Sequence, residues 1–241
     1  MQPNSLEKSS LLKNLLIETY INDILSRHHI KNKTEFEALL NLLASGIGGL
    51  TNPKKLADTF KTTKNVSISE NTIRNYIEYL MDAFLISESI RYDIKGKKYI
   101  SAPLKYYFTD MGIRNARINF RQIEESHAME NIIYNDLIRR GYNVDVGIIT
   151  QNLKSEHGES LRKQFEVDFV CNQGYKRYYI QSALHIPDED KLRQEQASLL
   201  QIGDGFKKII ICKDVITHYT EQGILILDLF DFLLRENSLL E

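Results

Sequence analysis

Apolar positions in the first half of the chain recur at the three- and four-residue spacing of helices; in the second half they fall in short runs that read as strands. Leu12, Leu15, Leu16, Tyr20 and Ile24 predict a helix over residues 11–25. Phe36, Leu39, Leu40 and Leu43 predict a second, capped by Thr34 and stopped at Gly46. Asn52-Pro53 opens a third, with Leu56, Ala57 and Phe60 inside. A fourth starts behind Ser69, where Ile73, Tyr76, Ile77, Leu80, Met81 and Phe84 are expected to be buried. Asn71, Thr72, Arg74, Asn75 and Glu78 are then left on its outer face.

A strand over 85–92, a turn at 93–96 and a return strand through Tyr99 and Ile100 follow that helix. Helix, turn, helix and hairpin together form a winged-helix pattern. In such a fold the second helix enters the major groove and the hairpin touches phosphates. Asn71, Thr72, Arg74 and Asn75 on the helix, with Lys95, Lys97 and Lys98 at the hairpin tip, are therefore the candidate nucleic-acid contacts. The same pattern serves protein contacts equally well, and Glu70 and Glu78 on that helix would repel phosphate.

Residues 105–115 read as a short aromatic strand and a turn at Asp110, Met111 and Gly112. A helix over 124–140, ended by Gly141, packs through Met129, Ile132, Ile133, Leu137 and Ile138. Glu130 shares that packed side and needs a partner, because a buried charge is costly alone. A partner arginine or a helix N-cap interaction would satisfy it; so would a metal ion, with Glu130 as a third ligand. Beyond it the pattern predicts strands at 142–149, 165–171 and 178–184, a helix at 188–201, strands at 206–212 and 223–227, and a last helix at 230–235. This strand–helix–strand ending implies a mixed sheet with a right-handed crossover. Residues 151–163 read as a polar, disordered loop.

The stretch with the clearest chemistry is 164–184, two strands joined by a turn at Asn172, Gln173 and Gly174. Alternation places Phe165, Val167, Phe169 and Cys171 on one face and Glu166 and Asp168 on the other. Two acids beside a polar residue on the next strand form the skeleton of a Mg²⁺ site for phosphodiester cleavage. The second strand offers Gln181 and Ala183 where that site wants an acid and a lysine.

Charge sharpens this picture. Residues 1–120 carry 17 basic against 12 acidic side chains, a net of +5; residues 121–241 carry 14 against 20, a net of −6. Only the first half suits a polyanionic partner. Cys171 and Cys212 sit in apolar runs without metal spacing and are expected to be reduced. With no span or signal peptide in the sequence, the expected compartment is the cytoplasm, away from membranes. Gly46-Ile47-Gly48-Gly49 lacks the Lys-Ser/Thr of a phosphate-binding loop, so no nucleotide-binding residues are expected and ATP only through a domain supplied elsewhere.

Four stretches together, TIRNYIEYLMDAFLI with KGKKYI, KYYFTDMGIRNA, MENIIYNDLIRRGYNVDVG, and EVDFV with YYIQSAL, resemble the C-terminal region of a prokaryotic family of AAA-type ATPases. That resemblance implies an α/β (α+β overall) chain in three parts. Residues 1–48 would be helices left from an ATPase lid or linker, 49–120 a winged helix, and 121–241 a domain similar to PD-(D/E)xK restriction-endonuclease-like nucleases. By position Glu130 matches the helix acid, Asp168 the central aspartate, Gln181 the second acid and Ala183 the lysine. Three readings follow. The first is a non-catalytic DNA- or protein-binding module beside an ATPase. The second is a Mg²⁺ nuclease that holds metal weakly through Glu130, Glu166 and Asp168, with Lys163 or Lys176 as a relocated lysine. The third is a module for protein contacts alone. The sequence leaves the oligomeric state open.

Overall fold

Helices lead and a mixed sheet follows. The computed structural model describes residues 5–64, 67–121, 124–154 and 160–240. Helix α1 (Ser5–Asn14), a π-helical stretch (Leu15–Ile21) and α2 (Asn22–Arg27) come first, then α3 (Lys33–Ser45), α4 (Pro53–Lys64) and α5 (Glu70–Asp82). The hairpin strands β1 (Ile86–Asp93) and β2 (Lys98–Phe108) precede α6 (Met111–Arg117) and α7 (Glu125–Arg139). The remainder is β3 (Asn143–Lys154), β4 (Ser160–Gln173), β5 (Lys176–Ala183), α8 (Glu189–Leu199), β6 (Lys207–Cys212), β7 (His218–Tyr219), β8 (Leu225–Asp228) and α9 (Leu229–Leu234). The eight strands lie in the order β2-β1-β3-β4-β5-β6-β8-β7. Pairs β1/β3, β5/β6 and β6/β8 are parallel, and β3/β4, β4/β5 and β7/β8 antiparallel.

Contacts divide the chain into two compact units, Met1–Glu88 with Pro103–Asn131, and Ser89–Ala102 with Ile132–Glu241. The first has a helical core that includes Leu16, Phe36, Leu40, Phe60, Ile73 and Leu80, joined by Tyr106 and Phe108 of β2. The core of the second includes Val167, Val170 and Tyr179 from the sheet and Leu199 from α8.

Capping side chains set several boundaries. Ser69 Oγ accepts from the Thr72 N–H at the start of α5, and Asp188 accepts from Lys191 at the start of α8. Asp228 accepts from the N–H groups of Phe230 and Asp231 at α9. Each satisfies amides that a helix start otherwise leaves bare.

Several expectations are corrected. Thr34 lies inside α3, whose N-cap position is Asn32. Phe84 is 79% exposed, not buried. Helix α5 ends two residues before the apolar pattern does: the N–H of Phe84 donates to Met81 and that of Leu85 to Leu80, with Phe84 at φ 55°. This left-handed closure swings Phe84 outward and buries Leu85 in its place. Ile132 and Ile138 are 38% and 44% exposed because they fall off the stripe through Met129, Ile133 and Leu137. The turn expected at Asp110–Gly112 is the start of α6, since Asp110 caps it through the Ile113 N–H. The two strands expected on either side of Pro103 are one, β2. The loop expected over 151–163 is shorter, because β3 and β4 pair out to Lys154 and Ser160. Its remainder, 155–159, lies outside the described residues. Strand β7 was not anticipated.

Candidate functional site

In the first unit, Glu130 is 8% exposed on α7. Its Oε1 accepts from Lys105 Nζ at 2.9 Å and from the Tyr107 hydroxyl at 2.7 Å. Lys105 and Tyr107 alternate with Tyr106 along β2 and so share a face. The adjacent Asn131 docks α7 on the same strand: its Oδ1 accepts from the Phe108 N–H and its Nδ2 donates to the Phe108 carbonyl, each at 2.8 Å. Gly48, at φ +72°, lies against the carboxylate, where an added Cβ would come within 3.1 Å of Glu130 Oε2. The partner this acid needed is therefore a lysine and a tyrosine. Neither was singled out from the sequence, although the i, i+2 spacing of Lys105 and Tyr107 in an aromatic strand was the available signal.

In the second unit the key feature is an irregularity in β4. Asp145 pairs with Val170 but Gly147 with Val167, so β4 carries one extra residue beside Asp168 and Phe169. Such a bulge re-aims side chains. Val167 and Val170, three apart, consequently share one core cluster, which strict alternation would forbid. The expected single face of Phe165, Val167, Phe169 and Cys171 is broken at this point. Gly147 is required opposite the bulge, since a Cβ there would come within 2.8 Å of Val170 and 2.9 Å of Ile94 and Val167.

The bulge also ends the β4/β5 ladder at Phe169↔Ile180. Alternate N–H groups of a strand face the same neighbour, so that of Ser182 points toward β4, as Ile180's does. There Asp168 Oδ2 accepts it at 2.9 Å. Asp168 is 7% exposed and thus stands in for a missing ladder carbonyl. Gln181 Oε1 accepts from Ser198 Oγ of α8 at 3.4 Å, and Ala183 is buried. Glu166 is half-buried beside Ile148. Lys163 Nζ lies 4.7 Å from the centre of the Phe165 ring. Lys176 sits at the turn end of β5, roughly 17 Å of extended strand from Gln181. Among the described residues no three His, Cys, Asp or Glu side chains gather as a metal-holding group.

Nearby, Asp145 is 8% exposed. Burial pushes its carboxyl above the usual range, while a hydrogen bond from the Tyr99 hydroxyl and the charge of Arg177 oppose the rise. Burial likewise raises the thiols of Cys171 and Cys212, and both cysteines are free.

Of the candidate nucleic-acid contacts, Asn71, Arg74 and Asn75 are exposed on α5 in the first unit. Thr72 is half-buried, with its hydroxyl 2.8 Å from Ser69 Oγ. Lys95, Lys97 and Lys98 are exposed at the hairpin tip, in the second unit, where Asp93 Oδ1 accepts from the Gly96 N–H to close the turn.

Residues 2–124, just over half of the chain, match the family model of a domain of unknown function (DUF8612). An uncharacterized protein of Haemophilus influenzae is 31% identical over 228 residues, covering 95% of this chain and 53% of its own length. Uncharacterized protein MJ1544 of Methanocaldococcus jannaschii is 30% identical over 190 residues, 79% of this chain and 40% of its own. The chain therefore spans about half, or less, of the length of these curated relatives. The crystal structure of protein VC1899 from Vibrio cholerae aligns with 98% of this chain and 56% of its own, at 13% identity and a TM-score of 0.33. No helix among the described residues is long and apolar enough to cross a membrane.

Proposed function

We propose, for a chain that belongs to the DUF8612 family, a non-catalytic role: a winged helix joined to a degenerate nuclease-like domain, binding DNA or protein beside an ATPase domain. The observation that carries this reading is the environment of Asp168. Its carboxylate accepts the Ser182 amide, and the flanking positions on β5 are a neutral Gln181 and a buried Ala183. Mg²⁺ is a hard cation that favours carboxylate oxygens and releases water reluctantly. An amide at 181 lowers the charge on offer. Ala183 supplies no ammonium to orient water or offset charge developing on a phosphate. The two deficits act on one step and compound. Glu130 supports the same reading, since Lys105 already neutralises it.

DNA binding rests on the exposed polar face of α5 and the lysines of the hairpin tip. Phosphate contacts of this kind release counterions, so affinity falls steeply with salt. The test is a gel-shift titration of the full chain on labelled duplex at low and high salt, with a parallel incubation in Mn²⁺. Binding at low salt is expected; it weakens with salt and is lost when Lys95, Lys97 and Lys98 are all changed to Glu. No cleavage is expected. Cleavage that disappears in Asp168→Ala would replace this reading with that of a nuclease. Absence of binding at low salt would favour protein contacts alone, the reading that suits the net −6 of residues 121–241.

A further inference from the structure

We propose that a cleft of about 360 Å³ in the first unit is a binding site for a phosphoryl anion, either free phosphate or the terminal phosphate of a small phosphorylated molecule. Arg114, Arg117 and Arg121 border it, together with Asn41, Ser45, Asn119 and one acid, Glu124. Arg114 and Arg117 stand one turn apart on α6 and so project from the same side of it. Arg121 returns to the cleft because the chain reverses after α6 through two successive left-handed residues, Asn119 at φ 57° and Phe120 at φ 53°. Asn tolerates that conformation; Phe adopts it rarely.

The guanidinium groups hold donors in reserve. Arg114 is 4% exposed; its Nε donates to the Ala44 carbonyl at 2.7 Å and its Nη1 to Asn115 Oδ1 at 3.1 Å. A guanidinium has five N–H groups, so these acceptors leave several over. Arg117 Nη2 donates to the Glu37 carbonyl at 2.8 Å, and the Glu37 carboxylate lies 3.4 Å away. Arg117 Nε is buried without a partner among the described residues. A buried donor left unpaired is unusual enough to call for a ligand or solvent to complete it.

Charge points the same way. Burial lowers the pKa of both Arg114 and Arg117, with Glu124 and Glu37 respectively opposing the fall. An anion in the cleft would relieve that desolvation. Two carboxylates face the cluster, and each has a second nitrogen neighbour. Glu37 is 3.7 Å from Lys33, and Glu124, largely exposed, is 2.7 Å from His127. Three arginines thus exceed the negative charge around them. Guanidinium forks match the paired oxygens of a phosphoryl group better than a spherical halide, and the Ser45 hydroxyl and the two Asn amides add neutral donors.

The experiment measures thermal unfolding and titration heat of the full chain with inorganic phosphate, against chloride and acetate at matched ionic strength. Phosphate is expected to bind and to raise the unfolding midpoint beyond either control. Arg121→Ala, at an exposed position, should fold normally and lower phosphate affinity about tenfold. Arg117→Lys keeps the charge but loses the fork, and should weaken phosphate more than acetate. A parallel titration with ATP separates the sources. Tighter binding of ATP assigns the site to a phosphate on a larger molecule, and equal or weaker binding assigns it to the free anion. No phosphate response above chloride, or an undiminished one in Arg121→Ala, overturns the proposal.

Discussion

The two units each bury an acid from the candidate constellation and neutralise it by different means. In the helical unit Glu130 meets a full opposite charge, Lys105, which is itself only 3% exposed. In the sheet unit Asp168 accepts a hydrogen bond from the backbone amide of Ser182. The first arrangement depends on both partners, because removing one half of a buried ion pair is strongly destabilising. The second depends on a local fault in the strand ladder, and its loss exposes a single unsatisfied N–H. Buried acidity alone therefore says little about catalysis; what the acid is bonded to decides what it can do.

The comparison breaks most sharply at Glu130. Glu130→Gln breaks the ion pair with Lys105, which is only 3% exposed, and should cost roughly 3–5 kcal/mol in urea unfolding. Adding Lys105→Met should recover much of that loss, because a neutral pair of similar volume replaces the ion pair. A loss below about 1 kcal/mol for Glu130→Gln would mean the pair is solvated or rearranged.

Asp168→Ala should cost less, about 1–3 kcal/mol, the usual penalty for leaving a buried donor unpaired. Amide exchange at Ser182 should quicken selectively. Unchanged exchange there would show that Asp168 is not its acceptor.

The smallest effect concerns Asp145. Its carboxyl is raised by burial in the folded state, so folded protein holds that proton more tightly than unfolded chain does. The resulting stabilisation is complete below the ordinary carboxylate pKa and is lost as pH rises through the raised one. Asp145→Asn removes this term. The variant should therefore gain in unfolding midpoint relative to the parent as pH rises from below the ordinary carboxylate range toward neutrality. A difference that is flat or reversed across that window would assign the carboxylate a stabilising charged contact instead.

Much of the element order was legible because the signals were local. Helical spacing in 33–45 and 70–82, the helix start behind Ser69, and the aromatic, β-branched arms around residue 174 each rest on neighbours within a few residues. The misplacements have equally physical causes. Apolar spacing continued past the true end of α5, where a left-handed closure turned Phe84 to solvent. Asp110 looked like a turn residue because the same side chain serves turns and helix caps.

The sequence by itself determined that helices precede a mixed sheet, that Glu130 would lie on a packed face, and that no lysine stands at position 183. These follow from periodicity and residue identity, which need no distant partner. Only the tertiary structure decided that Lys105 and Tyr107 would close on Glu130, that an extra residue in β4 would aim Asp168 at the Ser182 amide, and that three arginines would border one cleft. The reason is common to all three. A partner 14 or 25 residues away is selected by packing and by the need to satisfy a buried polar group, and alternation or helical spacing does not encode which one it will be.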